Sequence, residues 1–304
     1  MGRAIASASQ AAREVFERAD RTLGFDLSRI CFEGPEDQLK LTATAQPAIL
    51  ATSIALLEAL REAFPPLTNG AVLCAAGHSL GEYSALVAAG AIDRDDALRI
   101  VRRRGEYMQD AVPVGQGAMA AVLGATRAGV EALCRAAAEG EVLAPANDNA
   151  PDQIVVAGTA AAVRRLSAMA KEHGARRVVD LPVTAPFHCA LMKPAQDRLR
   201  VDLAGLTLRE ARFPILQNVS ARPVVAAEAI RKGLVEQVTA PVRWVETVLH
   251  LKEMGVTAMV EIGPGKVLSG LARKIAPDMP AFHVNDPESL QATLAGLSAT
   301  GSPA

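Results

Sequence analysis

Residues 77–81 are Gly-His-Ser-Leu-Gly, the G-x-S-x-G form of a nucleophile elbow. In this motif small residues on both sides let the chain turn sharply, so that the serine hydroxyl points outward and can attack a carbonyl carbon. The apolar run at 71–76 predicts a buried strand before Ser79, and residues 82–89 predict a helix after it. The N–H of Leu80 would lie at the start of that helix, where a developing negative charge is favoured. The segment therefore predicts nucleophilic acyl chemistry at Ser79.

A serine nucleophile needs a base, and the chain offers five histidines: His78, His173, His188, His250 and His283. We expect His188 to be the base, because it follows a predicted strand in a loop, where rigid elements often place catalytic side chains. His173 and His250 lie in predicted helices and His283 lies near the last predicted strand. These positions are more typical of solvated or helix-end residues. His78 adjoins the serine on a turn, so we expect it to pack or to line the pocket.

The order of predicted elements indicates an α/β fold with one inserted unit. A first helix is predicted at 2–20 and another at 46–63, with Pro47 in its first turn, where a missing N–H costs nothing. The middle of the chain has the order β-α-β-β-α-β, with strands at 118–123, 141–144, 154–157 and 177–181, helices at 127–138 and 160–173, and a turn at 147–151. This order is that of the split β-α-β, or ferredoxin-like, unit, which we place at residues 117–182. Residues 1–116 and 183–304 would form the main domain, with a frayed tail after about Leu297.

Composition argues against several other classes of function. Lys and Arg number 32 and Asp and Glu number 33, so no overall positive field would attract nucleic acid or an anionic membrane. The four cysteines lie far apart without a C-x-x-C pair, which favours a reducing cytoplasm and neither a zinc site nor a disulfide framework. We see no signal peptide and no apolar run of about 18 residues, so no membrane partner is expected. The expectation is a cytoplasmic monomer without metal or cofactor.

Five segments together resemble the motifs of bacterial malonyl-CoA:acyl carrier protein transacylases. Residues 77–86, Gly-His-Ser-Leu-Gly-Glu-Tyr-Ser-Ala-Leu, resemble the serine motif, and residues 185–192, Ala-Pro-Phe-His-Cys-Ala-Leu-Met, resemble the histidine motif. Residues 104–109, 147–149 and 261–268 resemble three further family segments. The match follows chain order over nearly the whole length, so the combination is far more specific than any one segment. The resemblance implies an α/β-hydrolase-like core with a ferredoxin-like insertion, in agreement with the predicted element order.

The resemblance also implies a ping-pong reaction. Ser79 would be the nucleophile and His188 its base, in transfer of a malonyl group from malonyl-CoA to the phosphopantetheine thiol of acyl carrier protein for fatty acid synthesis. The backbone carbonyl of Gln237 would orient His188 in place of a carboxylate. Arg104 would pair with the malonyl carboxylate through two parallel donors, although three adjacent arginines on a helix are by themselves more typical of a solvated face.

Further residues of the resembling segments are expected to complete the site. The N–H of Leu80 would stabilise the oxyanion. The side chains expected at the substrate are His78, Asn147, Asn149 and Phe187. The bulky ring of Phe187, directly before the base, would leave little room for an α-methyl branch, which indicates selectivity for malonyl.

The family normally begins with a buried strand followed by Gly-Gln-Gly-Ser-Gln, whose first glutamine supplies a second oxyanion donor. No such segment precedes the first helix predicted here, so we expect the first strand to be missing. Loss of one such donor costs about a hundred- to a thousandfold in rate. We therefore expect the chain as written to be weakly active or poorly stable, and an upstream extension to restore activity. Equal acylation rates of the two forms would contradict this expectation.

Other functions stay open at this point. A hydrolase of the same fold would release the acyl group to water, although a carboxylate clamp at Arg104 serves a malonyl group and has no use for a simple ester. A non-catalytic, carrier-binding protein is a second alternative, suggested by the segment that is expected to be missing. An acyltransferase of a polyketide or malonate decarboxylase system is a third, but the chain length and the Glu82 motif favour fatty acid synthesis.

Overall fold

The computed structural model describes residues 1–68, 70–183 and 185–299. Within them the α-helices are α1 (Arg3–Ala8), α2 (Gln10–Leu23), α3 (Leu27–Glu33), α4 (Glu36–Lys40), α5 (Thr42–Ala63), α6 (Gly81–Ala88), α7 (Arg94–Asp110), α8 (Arg127–Ala138), α9 (Ala160–Met169), α10 (Lys193–Ala204), α11 (Ala227–Glu236), α12 (Trp244–Glu253), α13 (Val267–Ile275) and α14 (Pro287–Ala299). The strands are β1 (Ala75–Ala76), β2 (Gly117–Leu123), β3 (Leu143–Ala150), β4 (Gln153–Thr159), β5 (Arg177–Asp180), β6 (Ile215–Leu216), β7 (Pro223–Val224), β8 (Met259–Ile262) and β9 (Ala281–Val284). The tail that the sequence predicts to fray begins near Leu297. Its residues up to Ala299 belong to the last turn of α14, and residues 300–304 lie outside the described residues.

Helix α5 lies in the largest hydrophobic core, with α2, α6 and α7 packed against it. Among the described residues it is the one helix long and apolar enough to cross a membrane by length and composition. However, 78% of its apolar window is buried inside the protein. A helix that is apolar on all sides and buried is typical of the core of a large domain.

The start of α5 differs from the sequence prediction, which placed Pro47 in the first turn. The helix begins at Thr42, so Pro47 lies inside it and leaves the carbonyl of Ala43 without its helical donor. A guanidinium nitrogen of Arg102 on α7 donates to that carbonyl at 3.0 Å. The neighbouring helix thus replaces the lost hydrogen bond, and α5 continues through the proline.

The single helix predicted at 2–20 is wrong, because Ser9 separates α1 from α2. Ser9 has an extended backbone, and its Oγ accepts the N–H of Ala12 at 3.1 Å. A serine at this position satisfies one of the free N–H groups at a helix start. The capping bond therefore favours a new helix over continuation of the first.

Two small sheets with parallel pairing lie outside the middle of the chain. Strand β1 pairs in parallel with β6, and β6 pairs antiparallel with β7, whereas β8 and β9 form a parallel pair. The strand predicted at 71–76 is shortened to its last two residues. Since parallel neighbours end at the same edge of a sheet, the residues after Ala76 and those after Leu216 meet there.

Strands β2 to β5 form a separate antiparallel sheet in the order β3-β4-β2-β5. Helices α8 and α9 pack on it around a hydrophobic cluster of their own. The chain order of these elements is β-α-β-β-α-β, as the sequence pattern predicts.

The turn predicted at 147–151 is wrong, because β3 continues through two bulges to Ala150 and the turn follows at 151–152. The N–H of Asp148 donates to the carbonyl of Val242, whose own N–H donates to Ala146, both at 2.9 Å. This bridge from outside the four-stranded sheet holds the segment extended. Asn147 and Asn149 therefore lie on a strand.

Candidate active site

Ser79 lies in the turn between β1 and α6 and has a left-handed backbone, with φ of 50°. Side chains other than glycine rarely adopt this conformation, which costs about 1–3 kcal/mol and is found mostly where the surrounding structure enforces it. Gly77 permits the turn, because a Cβ there would lie 2.0 Å from the carbonyl oxygen of Gly81. The strand, sharp turn and helix predicted around residues 77–81 are therefore present.

A substitution at Gly77 tests this reading of the turn. We expect Gly77→Ala to lower the free energy of unfolding by about 2 kcal/mol or more, because its methyl group would overlap backbone atoms that cannot move aside. Gly81→Ala is the matched control, since a Cβ at Gly81 meets no atom within 4 Å. Denaturant unfolding of both variants measures the difference. Equal stability of the two would contradict the close approach.

The imidazole of His188 joins the serine to the backbone of Gln237. Its Nε2 lies 2.8 Å from Ser79 Oγ, and its Nδ1 lies 2.9 Å from the carbonyl oxygen of Gln237. Because a carbonyl can only accept, Nδ1 carries the proton and Nε2 is free to accept the hydroxyl hydrogen of Ser79. These are the contacts that a general base for the serine requires.

His188 is 3% exposed and also has a left-handed backbone, with φ of 60°. Burial, together with the smaller effect of the nearby charge of Arg104, lowers the pKa of His188 to about 3. The imidazole is therefore neutral near pH 7, the form in which Nε2 can take a proton.

Arg104 is 2% exposed and lies beside the serine, contrary to the solvated face that adjacent arginines suggest. One terminal nitrogen donates to Gln46 Oε1 at 2.7 Å, and the other donates to Ser79 Oγ at 3.1 Å and to Gln237 Oε1 at 3.0 Å. Its Nε has no partner among the described residues. Burial lowers the pKa of Arg104, yet a guanidinium stays charged at any working pH. In the described part of the chain the hydrogen-bond acceptors of this buried cation are all neutral, and the nearby carboxyl of Glu82 opposes the fall in the pKa of Arg104.

The sequence analysis assigned no role to three polar residues that lie around Ser79 and Arg104. Gln46 contacts Arg104, while Asn218 and Glu82 lie behind the serine turn. A signal for Asn218 was available, because it follows β6, and β6 ends beside β1 at the same sheet edge. Glu82 is buried on the first turn of α6, and burial raises its pKa to about 7.

The other predicted site residues lie on both sides of the serine. Leu80 directly precedes α6, so its N–H lies at the start of that helix, as the sequence pattern predicts. His78 Nε2 lies 2.8 Å from Asn149 Oδ1, and the His78 ring lies 5.7 Å from that of Trp244. Asn147 lies on β3 opposite Val155 of β4 and forms a parallel backbone bridge with Val242.

Phe187 is half-buried and packs against the main core and against a second cluster on the four-stranded sheet, which includes Met119 and Val155 and is distinct from the cluster under α8 and α9. It precedes His188 directly, so the loop that carries the base is packed against both clusters.

The other histidines lie elsewhere: His173 ends a 3-10 turn after α9, His250 lies on α12 and His283 on β9. Among the described residues no cluster of three or more His, Cys, Asp or Glu side chains could hold a metal ion.

Known proteins match nearly the whole chain. The family model for the acyl transferase domain matches residues 1–280. The malonyl CoA-acyl carrier protein transacylase of Bacillus subtilis (strain 168) is 44% identical over 300 residues, which are 98% of this chain and 92% of that protein. The structure of the acyl-carrier-protein-S-malonyltransferase of Bartonella henselae superposes on this mixed α/β chain with a TM-score of 0.94 at 44% identity, covering 98% of this chain and 95% of that one.

A second solved structure contains a malonyl-transacylase in complex with its type II PKS acyl-carrier protein. It superposes with a TM-score of 0.92 at 43% identity and covers 96% of this chain and 94% of that one. Sequence identity at this level over almost the full length shows membership of one family, beyond a shared fold. The chain therefore belongs to the family of malonyl CoA-acyl carrier protein transacylases, within the acyl transferase domain proteins.

Proposed function

We propose that this chain transfers a malonyl group from malonyl-CoA to the phosphopantetheine thiol of an acyl carrier protein, through an acyl-enzyme on Ser79, in fatty acid synthesis. Relatives named for this activity at 44% identity support it, and a similar malonyl-transacylase has been solved with its acyl-carrier protein. A cytoplasmic monomer without nucleic-acid or membrane partners stays a prediction.

One observation carries the choice of acyl group. The guanidinium of Arg104 lies 3.1 Å from Ser79 Oγ and is buried among neutral acceptors. A buried cation without an anion in hydrogen-bond contact is costly, and a carboxylate matches the two parallel donors of a guanidinium. An acyl group on Ser79 that ends in a carboxylate would supply an anion within direct contact, closer than the nearby Glu82. Malonyl has this carboxylate and acetyl does not.

The reaction follows from these positions. Ser79 Oγ attacks the thioester carbon of malonyl-CoA while His188 Nε2 takes its proton, and the N–H of Leu80 stabilises the oxyanion. The tetrahedral intermediate expels the thiolate of coenzyme A, which takes the proton from His188. The carrier thiol then gives its proton to His188 and attacks the acyl-serine, whose alcohol leaves as Ser79 with the proton restored. The carbonyl of Gln237 holds the imidazole through both halves.

The role of the residues around this centre is part of the proposal. His78 and Asn149, which contact each other, and Asn147 on the same strand would line the acyl pocket. Phe187 would restrict an α-methyl branch. The sheet order β3-β4-β2-β5 and its separate hydrophobic cluster support a ferredoxin-like unit at 117–182, inserted into an α/β-hydrolase-like core of residues 1–116 and 183–304.

A mass measurement on the carrier separates transfer from hydrolysis. The chain is incubated with malonyl-CoA and a phosphopantetheinylated acyl carrier protein, and the intact mass of the carrier is recorded. A gain of one malonyl group by the carrier supports transfer. Free malonate with an unmodified carrier would indicate a hydrolase, and neither product would indicate a carrier-binding protein without catalysis.

The low pKa of His188 predicts the pH dependence of acylation. Since only neutral imidazole can take the serine proton and its pKa is about 3, protonation of His188 should not slow acylation between about pH 5 and pH 8. Single-turnover acylation by malonyl-CoA is measured across this range. The profile is recorded in parallel for Glu82→Gln, because Glu82, with a pKa of about 7, titrates within this range. A tenfold loss per pH unit below about 6.5 in both proteins would contradict the prediction.

A further inference from the structure

We propose that Asn218 and Glu82 are positioning residues for the acyl transfer, with Asn218 holding the left-handed turn of Ser79 and Glu82 holding both Asn218 and Gln237. The inference rests on the proposed function, because it concerns how the same serine and histidine are kept in place. Neither residue touches the reacting atoms in the mechanism above.

The side chain of Asn218 closes the serine turn from behind. Its Nδ2 donates to the carbonyl of Gly77 at 2.7 Å, and its Oδ1 accepts the N–H of Ser79 at 2.6 Å. The two backbone groups flank the sharpest part of the turn, so one planar amide sets their separation. Asn218 itself is fully buried and follows β6, which pairs with β1. A rigid strand pair therefore determines the place of the clamp, and the clamp opposes relaxation of Ser79 from its strained φ.

The carboxylate of Glu82 ties this clamp to the histidine. Its Oε2 accepts the backbone N–H of Asn218 at 3.0 Å and Nε2 of Gln237 at 2.8 Å. The same Gln237 amide nitrogen donates to the carbonyl of Ser79 at 3.1 Å, and the Gln237 backbone carbonyl accepts from His188. One buried oxygen thus fixes the residues that orient the nucleophile and the base. Its donors need an oxygen acceptor at this point.

The chain contains a matched control in the residue before Asn218. Gln217 is also a buried amide, and its Nε2 donates to two backbone carbonyls, those of Ala229 at 3.0 Å and Ile230 at 3.4 Å. Those bonds reach α11 and do not touch the serine turn. Gln217→Ala therefore removes a comparable buried amide and leaves the groups around Ser79 in place.

Burst kinetics with malonyl-CoA in the absence of carrier test the proposal. The amplitude of the burst counts folded, competent protein, and its rate constant at saturating malonyl-CoA reports how well the groups are placed. We expect Asn218→Ala to lower the rate constant about a hundredfold, since misplacement by about 1 Å costs this much, while Gln217→Ala changes it by less than about threefold. A purely structural role would reduce the amplitudes of both and leave both rate constants alike.

A second pair of variants keeps the test decisive if Asn218→Ala does not fold. Glu82→Gln retains an oxygen that can accept from Asn218 and Gln237, whereas Glu82→Ala removes it. We expect Glu82→Gln to keep its rate constant within about tenfold of the parent and Glu82→Ala to lose about a hundredfold. Equal rate constants for the two would overturn the role of Glu82.

A labelling reagent separates failure of this proposal from failure of the proposed function. Phenylmethanesulfonyl fluoride sulfonylates a serine through an S–O bond to Oγ, with loss of fluoride, and requires no malonyl site. If the parent chain forms no malonyl-enzyme, the proposed function fails. The positioning proposal is then judged on sulfonylation of Ser79, which should be slowed by Asn218→Ala and not by Gln217→Ala. Equal labelling rates in the two variants would overturn it.

Discussion

Replacing Ser79 by alanine should abolish the acyl-enzyme and lower carrier acylation by about four to six orders of magnitude. The loss is this large because Oγ is the atom that attacks the thioester, and His188 Nε2 has no other hydroxyl to activate once this oxygen is removed. The measurement is the initial rate of carrier acylation, together with the intact mass of the enzyme after malonyl-CoA.

Ser84 provides the control for this substitution. It lies on α6, the helix that follows Ser79, and its buried Oγ has no hydrogen-bond partner among the described residues. Ser84→Ala should therefore retain the activity of the parent chain. A malonyl adduct that persists on the Ser79→Ala protein would show that another residue is the nucleophile.

Replacing Arg104 by glutamine should lower acylation by malonyl-CoA about a hundredfold or more and leave acylation by acetyl-CoA nearly unchanged. The substitution removes two charge-assisted hydrogen bonds to the malonyl carboxylate. Acetyl has no carboxylate and does not form these bonds, so its transfer does not depend on them. Glutamine also removes the desolvation cost of a buried cation, which offsets the loss of its attraction to the nearby Glu82. The readout is the ratio of the two acylation rates.

Arg103→Gln is the control, because Arg103 lies on the same helix with its side chain 57% exposed and paired with Asp202. Its ratio of malonyl to acetyl rates should equal that of the parent. If Arg104→Gln slows both acyl donors equally, the guanidinium acts on Ser79 and does not bind the substrate carboxylate.

The local sequence pattern was sufficient to predict those parts of the structure that depend on a short segment. The apolar run, the small residues and the helical stretch around Ser79 predict the elbow, because the turn is enforced by neighbours such as Gly77 within the same motif. The position of His188 could be inferred from its loop. The β-α-β-β-α-β order was also visible, since each of its elements has a hydrophobic period of its own.

The burial of Arg104 could have been predicted from its helical spacing, although the two arginines next to it suggest an exposed face. Buried residues on α7 include Ala97, Val101 and Met108, which recur at three and four residues with Arg104 among them. Arg104 therefore falls on the apolar face of its helix, and an arginine on such a face needs a partner or a ligand. The three consecutive arginines look alike in the sequence, so their number alone does not show that Arg104 is buried whereas Arg103 is exposed.

Long-range contacts explain what the pattern missed. The helix through Pro47 depends on a donor from Arg102 on another helix, and the extended backbone at Asn147 depends on a bridge from Val242. Asn218 reaches the carbonyl of Gly77 across 141 positions of the chain. Such pairings arise from packing of distant segments, which no local period encodes.

The most direct measurement is the site of acylation in the parent chain. The protein is mixed with malonyl-CoA without carrier, quenched in acid and digested, and each peptide is weighed. One malonyl group on the peptide that contains Ser79, transferred to the carrier when the carrier is added before the quench, is the expected result. A malonyl group on another residue, or carrier acylation with no adduct on Ser79 at any time, would contradict transfer through the serine.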